Sequence, residues 1–329
     1  MRVTVLGAGA WGTALGQLLH HNQHEVTLWG HNRECLTSLR ATQRNDRYLP
    51  GIILPRELRL EDDLVRSIEG CECIVVAVPS TAFREVTKQI AEYSGILVSV
   101  TKGIEYSTGL TMSGVAQASA PRAHVAALSG PTLALEVARG IPSAIVAASH
   151  DLATAQTVQQ VFHRPAFRVY TSGDLVGVEL GGALKNVIAI GAGMCDGLGF
   201  GDNSKAALIT RAIVEIRRVG VAHGAQAETF AGLSGLGDLT VTCFSRLSRN
   251  RGLGERLGRG EKLSEILRST VTVAEGYPTA RSAYRLAHQL NVDTPIIDEV
   301  YAMLYEGKDV TQAVRDLTGR DSKAEVGKD

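Results

Sequence analysis

Neither sign of charge is in excess in this chain, because 34 basic side chains are balanced by 34 acidic ones. Such a balance provides no overall attraction for nucleic acid or for an anionic membrane surface. The five cysteines include no pair at CxxC spacing. We therefore predict neither a zinc site nor a disulfide framework, and we expect no metal and no nucleic-acid partner.

Long apolar runs and a targeting leader are also missing. The apolar stretches Cys73–Val78, Ile96–Val100 and Val187–Ala192 are far too short to span a bilayer. The N terminus lacks the basic leader, apolar segment and cleavage site of a signal peptide. These absences predict a soluble, cytoplasmic protein without stable membrane insertion, and 329 residues are enough for two domains.

The most specific motif that is present lies at the N terminus. The apolar run Val3–Leu6 leads directly into a GxGxxG motif, and a helical pattern follows. Gly7 permits a tight turn, Gly9 lets the backbone approach a pyrophosphate, and Gly12 lets the helix pack closely on the strand. The phosphates would lie at the helix N-terminus, where free N–H groups favour anions. The motif predicts dinucleotide binding; a purely structural glycine turn is the alternative.

The end of the second predicted strand bears on the choice of coenzyme. Sites that prefer NAD usually place an Asp or Glu there, against the ribose 2′-hydroxyl. This chain instead has Gly30 followed by His31, Asn32 and Arg33. No carboxylate opposes a 2′-phosphate at this point, and Arg33 can pair with one. The pattern favours NADPH, with NADH as the alternative coenzyme; Arg33 as a plain surface charge is the other interpretation.

The first half of the chain alternates strands with helices. Its apolar runs are continuous, as in strands that are buried on both faces of a mostly parallel sheet. Helical patterns such as Phe83–Tyr93 and Leu152–Phe162 lie between them, which is the rhythm of a doubly wound sheet. The predicted strands are Val3–Leu6, Val26–Trp29, Ile74–Val78, Ile96–Val100, Val125–Leu128, Ala144–Ala147 and Phe167–Tyr170.

The second half is predicted to be helical throughout. Glycine-rich turns, notably Gly232–Gly237, separate the helices, and a charged, frayed tail is expected from about Gly319. The predicted fold is therefore α/β, a Rossmann-type doubly wound sheet over residues 1–172 followed by an all-helical domain over residues 173–329. The predicted helices are Leu175–Met194, Lys205–Ala222, Leu253–Leu257, Leu263–Leu267, Thr279–Leu290 and Pro295–Tyr305.

Three segments that follow predicted strands carry candidate chemistry. They contain Val78-Pro79-Ser80, Thr101-Lys102-Gly103 and Ser129-Gly130-Pro131-Thr132. Ligands of open α/β sheets lie beyond the carboxyl ends of the strands. Lys102 at such an end is a candidate ligand-binding residue, although an ordinary solvated lysine is the alternative.

A helix interior carries a second candidate lysine. Gly181 and Gly182 share one helical face with Lys185, and each glycine costs roughly 1 kcal/mol relative to alanine. That cost indicates a close approach to this face. We predict that Lys185 lies in a tight crevice; simple helix packing, with its ammonium group reaching water, is the alternative.

The remaining candidates lie in the helical half. Asp238 ends a glycine-rich turn, and Glu275 lies in a turn before a helix start. Ser248, Arg249 and Asn250 supply a hydroxyl, a guanidinium and an amide near a predicted helix N-terminus. That combination suits a phosphate, although a helix cap beside a surface charge gives the same pattern.

Taken in order, these segments resemble the bacterial type of NAD(P)-dependent glycerol-3-phosphate dehydrogenase over nearly the whole chain. The resemblance implies reversible reduction of dihydroxyacetone phosphate to sn-glycerol 3-phosphate with NADPH or NADH, for glycerophospholipid synthesis. A homodimer is a candidate assembly. The motifs that carry the resemblance are GAGAWGTAL from Gly7, YLPG from Tyr48, VPS from Val78, TKG from Thr101, LSGP from Leu128, ELGGALKN from Glu179, GLGDL from Gly235, SRN from Ser248 and EG from Glu275.

The resemblance also assigns roles to individual residues. Lys185 is implied as the catalytic acid and base, with Lys102 and Asp238 as its catalytic partners. The implied substrate contacts are Lys102, Gly130, Thr132, Lys185, Asp238, Ser248, Arg249 and Asn250. The implied cofactor contacts are Gly7, Gly9, Ala10, Trp11, Gly12, His31, Arg33, Tyr48, Lys102, Ala134, Arg249, Val273 and Glu275. Ala10 departs from the family pattern, which often has Ser or Thr there.

Two other functions remain open at this stage. A related two-domain dehydrogenase could act on a hydroxy acid or sugar acid, because Arg249 would also bind a carboxylate. A non-catalytic sensor of NADPH could use the Rossmann domain alone. The lysines and Asp238 argue against the sensor, which needs neither a buried lysine nor a phosphate site.

Overall fold

A computed structural model describes residues 1–270, 273–321 and 324–325. All seven predicted strands are present, and an eighth, β3, is a three-residue strand without an apolar run. The predicted charged tail lies partly at residues 322–323 and 326–329, which are outside the described residues. The strands are β1 (Arg2–Leu6), β2 (Glu25–Trp29), β3 (Arg59–Glu61), β4 (Cys73–Val76), β5 (Ile96–Ser99), β6 (His124–Ser129), β7 (Ser143–Ala148) and β8 (Phe167–Ser172).

The eight strands form one sheet in the order β3-β2-β1-β4-β5-β6-β7-β8. Neighbouring strands are parallel except β6 and β7, which are antiparallel. The chain moves outward from β1 to β3 and then returns to β4 on the other side of β1. This reversal is the topological switch point at which such sheets bind ligands, beyond the carboxyl ends of the strands. The predicted Rossmann-type doubly wound sheet is confirmed.

Helices cover both faces of the sheet. Val3 and Val5 belong to the core on one face, whereas Leu6, Ile74 and Val76 belong to the core on the other. Burial on both faces explains the continuous apolar runs. The helices of this half are α1 (Ala10–His21), α2 (Arg33–Thr42), α3 (Leu64–Ser67), α4 (Phe83–Lys88), α5 (Met112–Ser119), α6 (Ala134–Ala138) and α7 (Leu152–Phe162).

The second half is helical throughout its described part, as predicted. The proposed division after residue 172 stays a prediction; β8 ends at Ser172 and the next helix begins at Leu175. The helices are α8 (Leu175–Gly197), α9 (Asp202–Ala222), α10 (Asp238–Phe244), α11 (Arg249–Gly258), α12 (Leu263–Ser269), α13 (Gly276–Gln289), α14 (Pro295–Tyr301) and α15 (Val310–Thr318).

Helix α8 is the central element of the helical half. Residues from Val178 to Met194 are buried without interruption. Among the described helices it alone is long and apolar enough to span a bilayer, and 94% of its apolar window is buried inside the protein. The helix was predicted as Leu175–Met194, but its apolar length was not recognised because glycines and Lys185 interrupt its hydropathy. Its burial makes it the core of the helical half.

Some predicted elements have different boundaries or types. The predicted helix Phe83–Tyr93 ends at Lys88, and i→i−3 turns replace it from there. The predicted turn Gly232–Gly237 is wrong, because Leu233–Gly237 forms a π-helical segment that runs into α10. A Cβ on Gly235 would overlap the backbone of Phe230. The glycine is therefore required by packing inside a helix, not by a turn.

Candidate active site

Lys185, Lys102 and Asp238 meet at the carboxyl edge of the sheet. Lys185 is in the middle of α8, Lys102 follows the end of β5, and Asp238 is the first residue of α10. Lys185 Nζ donates to Asp238 Oδ1 at 2.8 Å, and Lys102 Nζ donates to Asp238 Oδ2 at 2.6 Å. The carboxylate is 1% exposed, and the Lys185 and Lys102 side chains are 8% and 16% exposed. The structure brings these three predicted residues together.

The pair of lysines shares one negative charge, so the site keeps an excess of positive charge. Burial lowers the pKa of Lys185 to about 8, with Asp238 opposing this shift and the Lys102 ammonium adding to it. Burial disfavours a charged amine, and a second cation nearby has the same effect. A lysine with a pKa in this range can exchange a proton near neutral pH, as a general acid or base must.

The carbonyl oxygen of Gly130 is a second acceptor for Lys102. Lys102 Nζ and Thr132 Oγ1 each donate to this oxygen at 3.1 Å. Gly130 directly follows β6, and its φ of +158° is accessible mainly to glycine. Gly130 and Thr132 therefore lie beside the lysine pair, where substrate contacts were predicted.

The two glycines before Lys185 mark close approach of protein rather than of a ligand. A Cβ on Gly181 would lie 2.6 Å from the carbonyl oxygen of Ser234. A Cβ on Gly182 would overlap the hydroxyl of Ser129. These contacts set α8 tightly against the π-helical segment and the end of β6. The two glycines therefore serve helix packing, as the alternative interpretation held. The same packing buries Lys185, whose ammonium group does not reach water as that interpretation expected.

The predicted phosphate corner lies at the start of α11. Ser248 is the N-cap, and its hydroxyl accepts from Arg251 N at 3.2 Å. The side chain of Asn250 donates to Asn186 Oδ1 at 2.8 Å and accepts from Gly276 N at 2.9 Å. Ser248 and Asn250 thus make internal hydrogen bonds that fix α11 against its neighbours.

Arg249 differs from its two neighbours. In the described part of the chain, no hydrogen bond or ion pair holds its guanidinium, and its electrostatic partner is the Glu275 carboxylate. Arg249 and Val273 line one cavity of about 390 Å³. A guanidinium without a fixed partner at a cavity wall is free to bind an anion.

Glu275 connects the two halves of the chain. Its carboxylate accepts from Ser80 Oγ at 2.6 Å and from Ser80 N at 3.2 Å. Burial raises the pKa of Glu275, and the hydrogen bonds from Ser80 oppose this. The predicted cofactor contact is thus also a bridge between the sheet and the start of α13, whereas Val273 is 46% exposed.

The glycine motif has the geometry that a dinucleotide needs. Gly7 has a φ of +124°, and a Cβ on Gly12 would overlap the Gly7 carbonyl oxygen. A Cβ on Gly9 would meet nothing within 4 Å, so this residue faces open space. Gly9 is also the N-cap of α1 and offers no side-chain cap, which leaves the first turn to an outside acceptor.

Other predicted cofactor residues surround this motif. Ala10 is the first residue of α1, while Trp11 and Ala134 pack against the core beneath it. Tyr48 is half-buried, and its ring lies 5.4 Å from the guanidinium carbon of Arg47.

The end of β2 corrects one sequence inference. Asn32 caps α2, His31 is exposed beside it, and Arg33 begins the helix. Arg33 Nε lies 2.6 Å from Asp62 Oδ2. A carboxylate is therefore present at this edge of the sheet, contrary to the prediction from the end of β2. It belongs to Asp62, which follows β3 and was not identified from the sequence.

Comparison with known proteins accounts for this arrangement. Residues 2–155 match the family model for the N-terminus of NAD-dependent glycerol-3-phosphate dehydrogenase, and residues 174–315 match the model for its C-terminus. The chain belongs to this family. The predicted resemblance is confirmed.

Relatives within the glycerol-3-phosphate dehydrogenase family match over the full length. The protein named glycerol-3-phosphate dehydrogenase [NAD(P)+] from Chlorobium phaeobacteroides is 47% identical, covering 99% of this chain and 100% of its own. The one from Syntrophotalea carbinolica is 49% identical with the same coverage. The crystal structure of glycerol-3-phosphate dehydrogenase from Coxiella burnetii has a TM-score of 0.94 at 36% identity, covering 97% of this chain and 99% of its own.

Sequence reasoning missed several residues of this dehydrogenase site. Thr242 accepts from Lys185 Nζ at 2.6 Å; its position four residues after Asp238 on a helix was an available signal. Asn45 donates to Ala8 O at 2.9 Å and to Thr13 Oγ1 at 2.8 Å, and so holds the glycine motif. Ser80 was noted only as part of the Val78-Pro79-Ser80 segment, without a role of its own. Within the described ranges, no group of His, Cys, Asp and Glu side chains is placed to hold a metal ion.

Proposed function

We propose that this protein reversibly reduces dihydroxyacetone phosphate to sn-glycerol 3-phosphate with NAD(P)H, and so supplies glycerophospholipid synthesis. The observation that supports this most directly is the buried pair of lysines on one carboxylate, located where a doubly wound sheet binds its ligands. The names of the full-length relatives point to the same reaction.

The residues of the glycine motif fit a bound dinucleotide. Gly9 leaves space beside an uncapped helix N-terminus, so the first turn of α1 would hold the pyrophosphate. When bound, the reduced nicotinamide supplies the hydride that adds to the C2 carbonyl carbon of the substrate. The further cofactor contacts in this proposal are those implied by the family pattern.

Lys185 is the proposed proton donor. As the carbonyl carbon is reduced, its oxygen gains negative charge, which the Lys185 ammonium stabilises before it gives up a proton. The reverse reaction requires neutral Lys185 to take the hydroxyl proton. The pKa of about 8 lets both forms exist near neutral pH, which suits a reversible reaction.

Asp238 and Lys102 are proposed to set the properties of Lys185. Asp238 orients the ammonium through Oδ1, and Thr242 receives a second hydrogen bond from it. Lys102 adds positive charge that favours an oxyanion and lowers the proton affinity of its neighbour. Lys102 also holds the Gly130 carbonyl, which together with Thr132 would contact the substrate.

Arg249 is proposed to bind the substrate phosphate. Its guanidinium lacks a fixed partner among the described residues, and a phosphate is a bidentate partner for it. Ser248 and Asn250 keep the start of α11 in place and would present their remaining hydrogen-bonding groups to the same anion. The phosphate contact would select dihydroxyacetone phosphate over uncharged dihydroxyacetone.

Two finer points belong to the same proposal. We propose NADPH as the preferred coenzyme, with NADH also accepted, on the basis of His31 and Arg33 at the end of β2. We also propose that the protein acts on small molecules in the cytoplasm, as a homodimer and without stable membrane insertion. Sedimentation would test the dimer, and cell fractionation would test the location.

The deciding experiment is a coenzyme oxidation assay. NADPH oxidation is followed with dihydroxyacetone phosphate, with unphosphorylated dihydroxyacetone and with 2-oxo acids, and the set is repeated with NADH. We expect turnover with dihydroxyacetone phosphate and little with the other substrates. Preference for an oxo acid would indicate a hydroxy-acid dehydrogenase, and coenzyme binding without turnover would indicate a sensor.

A further inference from the structure

An ion pair occupies the edge of the sheet where the adenosine half of a dinucleotide would end. Arg33 is the first residue of α2, and Asp62 directly follows β3. Arg33 Nε and Asp62 Oδ2 are 2.6 Å apart. The pair joins the start of α2, which follows β2, to the end of the neighbouring edge strand β3.

The carboxylate is the fixed member of this pair. In the parallel register Trp29, the last residue of β2, lies opposite Glu61, the last residue of β3. Asp62 is therefore the first residue beyond the point where both strands end. Trp29 Nε1 donates to the Asp62 carbonyl oxygen at 3.1 Å, and Gly30 N donates to the Glu61 carbonyl oxygen at 3.1 Å. These bonds hold Asp62 through its backbone and leave its side chain to Arg33.

The arginine is the member that can move away. Its side chain is 83% exposed, whereas that of Asp62 is 28% exposed. Ion pairs of this exposure are weak, because water screens the charges and long side chains lose entropy when held. A doubly charged phosphate at the same place would therefore compete effectively for the guanidinium.

Dinucleotide sites usually carry one of two determinants at this edge. A carboxylate binds the ribose 2′-hydroxyl of NADH, or an arginine binds the 2′-phosphate of NADPH. This chain has both, the arginine at the start of α2 and the carboxylate just after β3, paired with each other. We propose that Asp62 is a specificity-determining residue: it competes with the 2′-phosphate for Arg33, and so keeps the preference for NADPH modest and NADH usable. This inference rests on the proposed function in placing Arg33 at the 2′-position.

The test is equilibrium binding of NADPH and NADH, followed by the fluorescence of the reduced nicotinamide, with the full-length chain. Asp62→Asn keeps the side-chain shape and the backbone contact with Trp29 but removes the charge. We expect the ratio of the NADH Kd to the NADPH Kd to rise roughly two- to fivefold, from loss of the competing ion pair. An unchanged or smaller ratio would overturn the assignment.

A matched control separates this effect from general electrostatics. Glu34 is exposed in the first turn of α2, next to Arg33, and makes no ion pair or hydrogen bond with the described residues. Glu34→Gln removes the same charge from the same helix end. We expect it to leave the ratio of the two Kd values unchanged, and an effect equal to that of Asp62→Asn would contradict a specific role for Asp62.

The double variant tests whether Asp62 acts through Arg33. In an Arg33→Ala background, Asp62→Asn should change the ratio much less than it does alone. An undiminished change would overturn the competition between Asp62 and the phosphate. Because coenzyme binding requires no substrate, these outcomes are distinguishable from a failure of dihydroxyacetone phosphate turnover. If Arg33→Ala alone left the ratio of the two Kd values unchanged, the site for the 2′-phosphate would lie elsewhere.

Discussion

Lys185 and Lys102 donate hydrogen bonds to opposite oxygens of the same buried carboxylate, that of Asp238. The two ammonium groups come from different halves of the chain, one from α8 and one from the edge of the sheet. Burial lowers the pKa of Lys185 and the Lys102 ammonium adds to this against the opposing effect of Asp238, so the proton on Lys185 is held less tightly than on a free lysine. The fold thereby creates a proton donor from a residue that is ordinarily too basic for the task.

Removal of this proton donor gives the first prediction. Lys185→Ala should lower kcat by roughly 10²–10⁴, the usual loss when a general acid is removed. The Kd for NADPH should change little, because the glycine motif is untouched. Steady-state kinetics and coenzyme fluorescence measure the two effects, with the exposed Lys88→Ala as the control. Turnover close to that of the wild type would remove Lys185 from the mechanism.

The pH dependence of the two directions should be opposite. Reduction needs protonated Lys185, so its kcat should fall as the pH rises through about 8. Oxidation of glycerol 3-phosphate needs the neutral amine, so its kcat should rise through the same pH. Initial rates in both directions over one series of buffers test this. Profiles that move in the same direction would contradict the assignment of Lys185 as both acid and base.

The neighbours of Lys185 should move this midpoint in opposite directions. Asp238 raises the pKa of Lys185 and Lys102 lowers it. Asp238→Asn should therefore move the midpoint of the reduction profile to lower pH, and Lys102→Met should move it to higher pH, although both variants lose activity. Circular dichroism confirms that each variant is folded. A purely structural role for the two residues would lower the rate without these opposite shifts.

The sheet could be predicted because its strands are continuous apolar runs that burial on both faces requires. The edge strand β3, with Arg59 and Glu61 around a single leucine, carries no such pattern and was missed. The segment Leu233–Gly237 was misassigned because glycine marks turns and close helix packing equally. Its role is decided by contact with Phe230, which no local pattern encodes.

The residues of the candidate site also fall into those that local sequence signals identify and those that they do not. Lys102 and Gly130 follow apolar strands, and Lys185 lies on a glycine-bearing helix, so local signals were sufficient to select them. Ser80 and Asp62 were not selected, because their importance comes from partners that are distant or on another strand. Ser80 and Glu275, for example, are 195 residues apart in the chain. Only the assembled fold shows such pairs.

A buried carboxylate outside the site predicts a pH effect on stability. Glu215 is 2% exposed and accepts from Ile296 N and Ile297 N at the start of α14. Burial raises the pKa of Glu215 from 4.5 to about 7, with these backbone hydrogen bonds opposing the shift. Between these values the native state holds a proton that the unfolded state releases. Glu215 therefore contributes stability at low pH that is lost as the pH rises through about 7.

Glu215→Gln removes this titration while keeping an acceptor for the helix. The free energy of unfolding of the variant minus that of the wild type should be about 1–3 kcal/mol higher at pH 8 than at pH 5. Denaturant titrations at the two pH values measure the difference. Glu228→Gln, at an exposed site, should show no such gain, and an equal response of both variants would contradict the role of Glu215.

Arg249 gives the prediction that tests substrate choice. Arg249→Lys keeps the charge but loses the forked geometry that binds two phosphate oxygens, so KM for dihydroxyacetone phosphate should rise. Arg249→Ala should be worse, because the phosphate then enters the site without its main partner; losing a charge-assisted hydrogen bond costs about 1.5–3 kcal/mol, or roughly 10- to 150-fold in affinity. Steady-state kinetics with varied substrate measure both effects.

The comparison of two substrates decides what Arg249 does. Its effect should be large for dihydroxyacetone phosphate and small for unphosphorylated dihydroxyacetone at high concentration, because only the first carries the anion. The control is Arg246→Ala, since Arg246 is exposed in the turn before α11 and should leave both substrates unaffected. Asn250 and Ser248 hold the helix start through their own hydrogen bonds, so the loss of Arg249 should not displace it. Equal losses for both substrates would mean that Arg249 positions the coenzyme or the fold, and the phosphate would have to bind elsewhere.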